Sequence, residues 1–129
     1  NWTHLDISTG LPARLTPADT DNYVLGEKME MDYAPRKIAL PKERKPQESF
    51  AVQKHHLDTN HHVNNCQYIR MAADFLPEDF AVHQLRVEYK RQAVLGNVMI
   101  PEVYMEANKV TVVLNAEDQE PYAVVEFTK

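Results

Sequence analysis

The sequence predicts an α+β domain in which an antiparallel sheet curls around one central helix. Between Val63 and about Leu76, the residues Val63, Cys66, Ile69, Ala73 and Leu76 recur at spacings of three and four, which mark one face of a helix. Pro77 ends that helix, and each apolar run beyond it has the length and composition of a strand. Short turn-forming stretches separate these runs, so the strands are expected to follow one another as a meander.

The elements follow in order. Trp2 to Ile7 alternates loosely as a strand, Ser8-Thr9-Gly10 forms a turn, and Pro12 to Leu15 is a short return strand. Thr16-Pro17-Ala18-Asp19 combines a hydroxyl cap, a proline at the first helical position and an acid in the first turn, so a short helix starts there and ends by Gly26. From Lys28 to Gln47 the chain carries Pro35, Pro41 and Pro46 among many charges, the composition of an extended linker. A boundary is expected between Pro41 and Gln47. Glu48 to His55 then reads as a strand with Phe50 and Val52 on one face. After the helix come strands at Leu85–Tyr89, Val98–Met105, Val110–Asn115 and Tyr122–Phe127, turning at Gly96-Asn97, Asn108-Lys109 and Glu117 to Glu120.

Composition narrows the function classes. The 129 residues are 43% hydrophobic and 26% charged, ordinary for a globular domain with or without an extension. A net charge of −5 and a pI near 5.6 argue against nucleic acid as a partner. No apolar run is long enough to span a bilayer, and no signal-peptide pattern is present. The start at Asn1-Trp2, without an initiator Met, reads as a processed product or as an excised piece of a longer protein, and the strand entered midway favours the excised piece. Cys66 stands alone, which excludes an intrachain disulfide or a cysteine-rich metal site and fits a reducing cytosol. Arg36-Lys37 and Lys42-Glu43-Arg44-Lys45 form a basic segment that reads as a solvated linker or as a contact for an acidic carrier.

The chemistry concentrates just before the helix. If residues 58 to 62 are extended, Asp58, Asn60 and His62 share one face while Thr59 and His61 point away. The unpaired N–H groups of a helix starting near Val63 and Asn64 would open toward the same place, suited to an oxyanion. Singly, each residue has a plainer reading: Asn60 as a helix cap, Asp58 as a turn residue, His62 as a hydrogen-bonded imidazole. Together, and in this order, they favour a site. A metal reading of His55, His56, His61 and His62 fails because adjacent histidines in extended chain diverge and no i, i+4 pair is present. Cys66 on the apolar face reads as core, and Trp2 and Tyr68 as packing residues.

Asp58-Thr59-Asn60-His61-His62-Val63-Asn64-Asn65, followed by Tyr68-Ile69, resembles the D-x-N-x-H-V-N-N signature of acyl-[acyl carrier protein] thioesterases. These are fatty-acid-releasing enzymes of plants and bacteria, with two hotdog domains in one chain. Leu85 to Arg91 resembles their following strand, Trp2 to Arg14 the end of their first domain, and the proline-bearing segment their linker. The resemblance implies a hotdog fold, an antiparallel sheet wrapped around one long central helix. Residues 1–45 would then be the end of a preceding hotdog domain and the linker, and residues 46–129 a hotdog thioesterase domain that is only part of the enzyme. It also implies hydrolysis of fatty acyl thioesters of acyl carrier protein, with no metal and no organic cofactor, in a bacterial cytoplasm or a plant plastid. Pairing with a second hotdog domain, or self-association through an exposed apolar seam, is expected.

Asp58, Asn60 and His62 carry over from the family at matching positions. Plant members place a Glu-Cys pair where this chain has Gln92-Ala93, so a cysteine nucleophile and a second carboxylate are both missing. Gln92 can orient a water or a neighbour but cannot act as a base. Strand alternation puts it on the face of Arg86, Glu88 and Lys90, so reaching the site would require a bulge. Asp58 would attack the carbonyl or draw a proton from water, Asn60 and His62 would orient it, and the Val63 and Asn64 N–H groups would hold the oxyanion. Two alternatives remain: a homodimeric hotdog thioesterase for acyl-CoA, and a non-catalytic acyl-binding half.

Overall fold

The computed structural model describes residues 4–129, so the strand expected from Trp2 begins outside the described residues. Contacts divide the chain into a unit ending at Tyr33 and a unit from Ala34 to Lys129. In the first, Leu5 pairs with Pro12 in an isolated bridge, and the Asp6 carboxylate accepts the Ser8 N–H at 2.8 Å to hold the turn between them. Helix α1 is a single turn, Pro17–Thr20, capped by Asp19 Oδ2 accepting the Thr16 N–H at 2.9 Å. The stretch after it leaves Tyr23, Val24, Leu25, Met29 and Met31 exposed.

The second unit is built on strands whose sequence shows why both their faces are covered. β5 (Lys109–Asn115) and β6 (Pro121–Thr128) run nearly without polar alternation and are buried along their length. That pattern belongs to strands covered on both sides. β4 (Val98–Met105) pairs with β5, and β5 with β6, all antiparallel. β3 (Gln84–Tyr89) joins the far side of β6, with Val87 opposite Val125. The expected four-strand meander is therefore corrected: three strands meander and β3 closes the opposite edge, giving the order β4-β5-β6-β3. The connection from Lys90 to Asn97 has to cross an end of the sheet to reach β4.

β1 (Lys45–Pro46) and β2 (Phe50–Ala51) are two-residue strands on the outer side of β4. The strand expected over Glu48 to His55 shrinks to β2 because the chain turns into a 3₁₀ turn at Lys54–His56. Val52 is buried as expected, and Phe50 packs against the core.

Helix α2 spans Asn65–Ala73, nine residues and shorter than the sequence suggested. Val63 lies outside it because a bridge to Leu57 draws it into extended chain. The helix starts where the Asn64 side chain caps the Cys66 N–H at 2.9 Å, so Asn64 and not Asn60 is the cap. Its buried residues are Tyr68, Met71 and Ala72, packed against β5 and β6 with Val112, Leu114 and Val125. Cys66 is exposed, which corrects its reading as core; the helix is rotated so that Tyr68 faces inward instead.

On the sheet's other face Ile38 covers Val113 and Val124. The Ile38 N–H donates to Glu88 Oε2 at 3.0 Å, and Arg44 pairs with Glu102 at 2.7 Å. Part of the segment read as solvated linker is thus a strap across the sheet. Among the described residues, no helix is long and apolar enough to cross a membrane.

Candidate active site

The stretch expected to be extended is a tight turn. The Asp58 N–H donates to the His62 carbonyl at 2.8 Å, and the His61 N–H to the Asp58 carbonyl at 3.1 Å. His61 takes a φ of 62°, the left-handed region that closes such a turn. Alternation therefore does not put Asp58, Asn60 and His62 on a common face. What joins them is one carboxylate oxygen: Asp58 Oδ1 accepts the Asn60 N–H at 2.8 Å and the His62 N–H at 3.2 Å. This is the local bonding that makes aspartate a turn residue. Asp58 and His62 are half-buried and Asn60 is exposed. Asp58 Oδ2 has no hydrogen-bond partner among the described residues.

The turn is fastened to its surroundings on two sides. Leu57 bridges Val63, and His62 bridges Val94. The Val63 N–H donates to the Ala93 carbonyl at 2.8 Å, and the Asn64 N–H to the His56 carbonyl at 2.9 Å. Both N–H groups expected to hold an oxyanion are therefore engaged by protein carbonyls, which corrects that expectation. The reason is the helix boundary: starting two residues later than Val63, it leaves both residues in bridged chain. The first helical N–H, that of Asn65, has no hydrogen-bond partner among the described residues.

Gln92 reaches this end of the helix without a bulge. β3 ends at Tyr89, so strand alternation no longer governs the residues after it. The Lys90 and Arg91 N–H groups both donate to the Tyr122 carbonyl, at 2.9 and 3.2 Å. Arg91 grips Asp118 with two hydrogen bonds, at 2.7 and 3.0 Å, and lies over the Tyr122 ring. That guanidinium holds the Asp118 carboxyl down to about 2. Beyond this anchor, Gln92 shares the walls of a cleft of about 180 Å³ with Asn65, Tyr68, Tyr89, Lys90 and Arg91. Asp58, Asn60 and His62 are not among those walls.

Tyr68 lines the cleft and also bonds Ala93, the residue whose carbonyl takes the Val63 N–H. Its hydroxyl accepts the buried Ala93 N–H at 2.8 Å. Burial pushes the phenol above its ordinary value, and the negative charge of Asp58 adds to the effect. Asn65 and Tyr68 were not singled out as chemical groups from sequence. The signal for the first was the cap at Asn64; for the second, it was a tyrosine on a buried face, which needs a polar partner. His56, the other buried-side imidazole, accepts the Gln53 N–H on Nδ1 at 2.9 Å. Among the described residues, no group of three or more His, Cys, Asp or Glu side chains could hold a metal ion.

Comparison with solved structures shows the fold to be hotdog-like. An acyl-ACP thioesterase from Bacteroides thetaiotaomicron superposes with a TM-score of 0.80 at 17% identity, over 96% of this chain and 52% of that one. The 12:0-ACP thioesterase from Umbellularia californica gives 0.74 at 16% identity, over 96% and 51%. A Staphylococcus aureus protein in complex with CoA gives 0.57 at 17% identity, over 68% and 75%. The chain spans about half the length of the two acyl-ACP thioesterases. No curated protein matches it by sequence. The family model described as "Acyl-ACP thioesterase C-terminal domain" matches residues 39–124, from the strap over the sheet through Asp58 and Gln92 to β6, and to that family the chain belongs.

Proposed function

We propose that the chain is the catalytic half of an enzyme that hydrolyses fatty acyl thioesters of acyl carrier protein and releases free fatty acid. The observation that carries this reading is the pairing of a half-buried carboxylate with an open helix start. Among the described residues, Asp58 spends Oδ1 on its own turn and keeps Oδ2 unengaged, while the Leu57–Val63 bridge holds that turn at the end of α2, where the Asn65 N–H has no partner. A thioester needs a nucleophile and stabilisation of charge on its carbonyl oxygen. In this reading Asp58 supplies the first: it takes a proton from the water that attacks the carbonyl carbon and returns it to the thiolate as the C–S bond breaks. Or it attacks the carbon itself, the thiolate leaves, and water hydrolyses the resulting anhydride to the fatty acid, its proton going to the thiolate. The Asn65 N–H, aided by the helix dipole, supplies the second. Asn60 and His62 orient the acid and the water, and Gln92 positions the substrate from across the cleft.

Residues 1–45 are the end of a preceding hotdog domain and the linker in this proposal, and residues 46–129 the hotdog domain, its sheet wrapped around α2. The exposed apolar residues between Tyr23 and Met31 support it, since such a run calls for a covering surface. So does β3, an edge strand that leaves Leu85 and Tyr89 exposed. Self-association through that seam predicts concentration-dependent sedimentation, shifted toward monomer by Leu85→Lys; a parent chain that stays monomeric at high concentration refutes it.

The CoA-bound neighbour favours a second substrate, acyl-CoA. One preparation assayed on acyl carrier protein and CoA thioesters of the same fatty acid separates the two. Faster turnover of the carrier-protein thioester supports the proposal, and a preference for acyl-CoA replaces it with the second reading. Fatty acid binding without hydrolysis of either leaves only an acyl-binding half.

A further inference from the structure

Tyr68 combines deep burial with a place in the wall of an open cleft: it is 2% exposed and lines the same opening as Asn65 and Gln92. A phenol hydroxyl both accepts and donates. The Ala93 N–H uses its accepting side, and among the described residues the hydroxyl donates to no acceptor. A buried donor left without a partner is costly, and the cleft that Tyr68 helps to line is where one can be met.

We propose that the Tyr68 hydroxyl donates a hydrogen bond into this cleft, to the carbonyl oxygen of the bound acyl thioester, and so completes with the Asn65 N–H a two-donor oxyanion site. The inference rests on the thioesterase reading and deepens it. With the Val63 and Asn64 N–H groups engaged by Ala93 and His56, the Asn65 N–H is the backbone donor at the helix start that has no partner among the described residues. Tyr68 stands one turn beyond Asn65, and helical side chains lean back toward the N-terminus, which carries its hydroxyl toward that donor. The ring is held from both ends. It packs edge-on against Tyr89 at 5.9 Å, Tyr89 bonds the Asn65 carbonyl at 3.1 Å, and the Ala93 bond fixes the hydroxyl. A donor so held is already in place when the carbonyl oxygen gains charge.

The role involves no proton transfer, so the phenol must stay protonated. The titratable and charged groups around it are Asp58, Tyr89 and Tyr122, with Lys90 and Arg91 across the cleft. Burial raises its affinity for the proton and outweighs the Ala93 N–H bond, which lowers it, and Tyr122 and Asp58 act in the same direction as burial. It therefore remains a donor through neutral and mildly alkaline pH.

The test uses the full chain and a long-chain fatty acyl thioester of acyl carrier protein. Tyr68→Phe is expected to lower kcat by about 10²-fold with little change in KM, the usual effect of losing one oxyanion donor. Because that variant also strips the Ala93 N–H of its partner, the deciding protein carries 3-fluorotyrosine at position 68. The analogue keeps the shape and the Ala93 bond while making the phenol more acidic. The expected result is an unchanged Tm and an alkaline fall in kcat displaced to lower pH. A pH profile that superimposes on the parent's, with Asp58→Asn inactive, overturns the role of Tyr68 and leaves the thioesterase reading standing. A parent chain without thioester hydrolysis, or an Asp58→Asn variant as fast as the parent, removes that reading and this inference together.

Discussion

Ile38 donates its backbone N–H to Glu88 Oε2 at 3.0 Å, across 50 positions of sequence, and its side chain covers Val113 and Val124. A segment rich in proline and charge thereby becomes the second cover of the sheet. Ile38→Ala is expected to destabilise the chain by about 2 kcal/mol, the low end for removing a buried isoleucine side chain. Urea unfolding followed by circular dichroism measures it. A midpoint unchanged from the parent would mean that the strap contributes nothing to stability.

Asp58 serves two purposes in the proposed mechanism, and a single substitution separates them. Asp58→Asn retains an oxygen for the Asn60 and His62 N–H groups, so the turn should persist and Tm should hold. The carboxylate is lost, and kcat for thioester hydrolysis should fall by about 10²–10⁴-fold. Asp58→Ala should lose the same activity and also lower Tm, because the turn bonds go with it.

His61 sits at a φ of 62°, where a side chain is disfavoured and glycine is not. His61→Gly should change stability by less than about 1 kcal/mol, since relief in the folded turn opposes the added freedom of the unfolded chain. His61→Val should cost about 1–2 kcal/mol, because a branched Cβ tolerates this backbone poorly. Paired thermal melts check the order Gly above Val; the reverse order would argue against the turn.

His56 links stability to pH. Burial, with His55 as the smaller effect, holds the imidazole below its ordinary 6.5. Folded His56 therefore binds its proton less readily than unfolded His56. Its contribution is complete above about pH 6.5 and is lost as pH falls through the lower folded value. The urea midpoint should drop between pH 7.5 and pH 5, and His56→Gln should flatten that drop. An equal drop in both proteins would assign it to other groups.

Where the helix and the last three strands lie was legible in the sequence, because apolar residues recur at helical spacing between Val63 and Leu76 and in nearly unbroken runs such as Val110 to Leu114. Which helix face is buried was not, since Tyr68, Met71 and Ala72 face inward and Cys66 does not. The reading of Asp58 as a turn residue was legible too, since an aspartate bonding N–H groups two and four positions ahead is a local matter. The extended alternative for residues 58 to 62 failed on the same ground: those short-range bonds outweigh alternation in so short a stretch.

Tertiary structure decided the rest. Hydrophobic period says that Gln84–Tyr89 is a strand, but not that it pairs with β6 rather than β4, because strand order depends on how the whole sheet closes its core. That order sends the chain from Lys90 to Asn97 across an end of the sheet. The crossing brings Gln92 to the start of α2 and gives Ala93 both Val63 and Tyr68 as partners. The sequence by itself determined which residues could form strand, helix and turn, since those preferences are local. Which N–H groups found partners, and which of them the Tyr68 hydroxyl accepted, depended on residues distant along the chain.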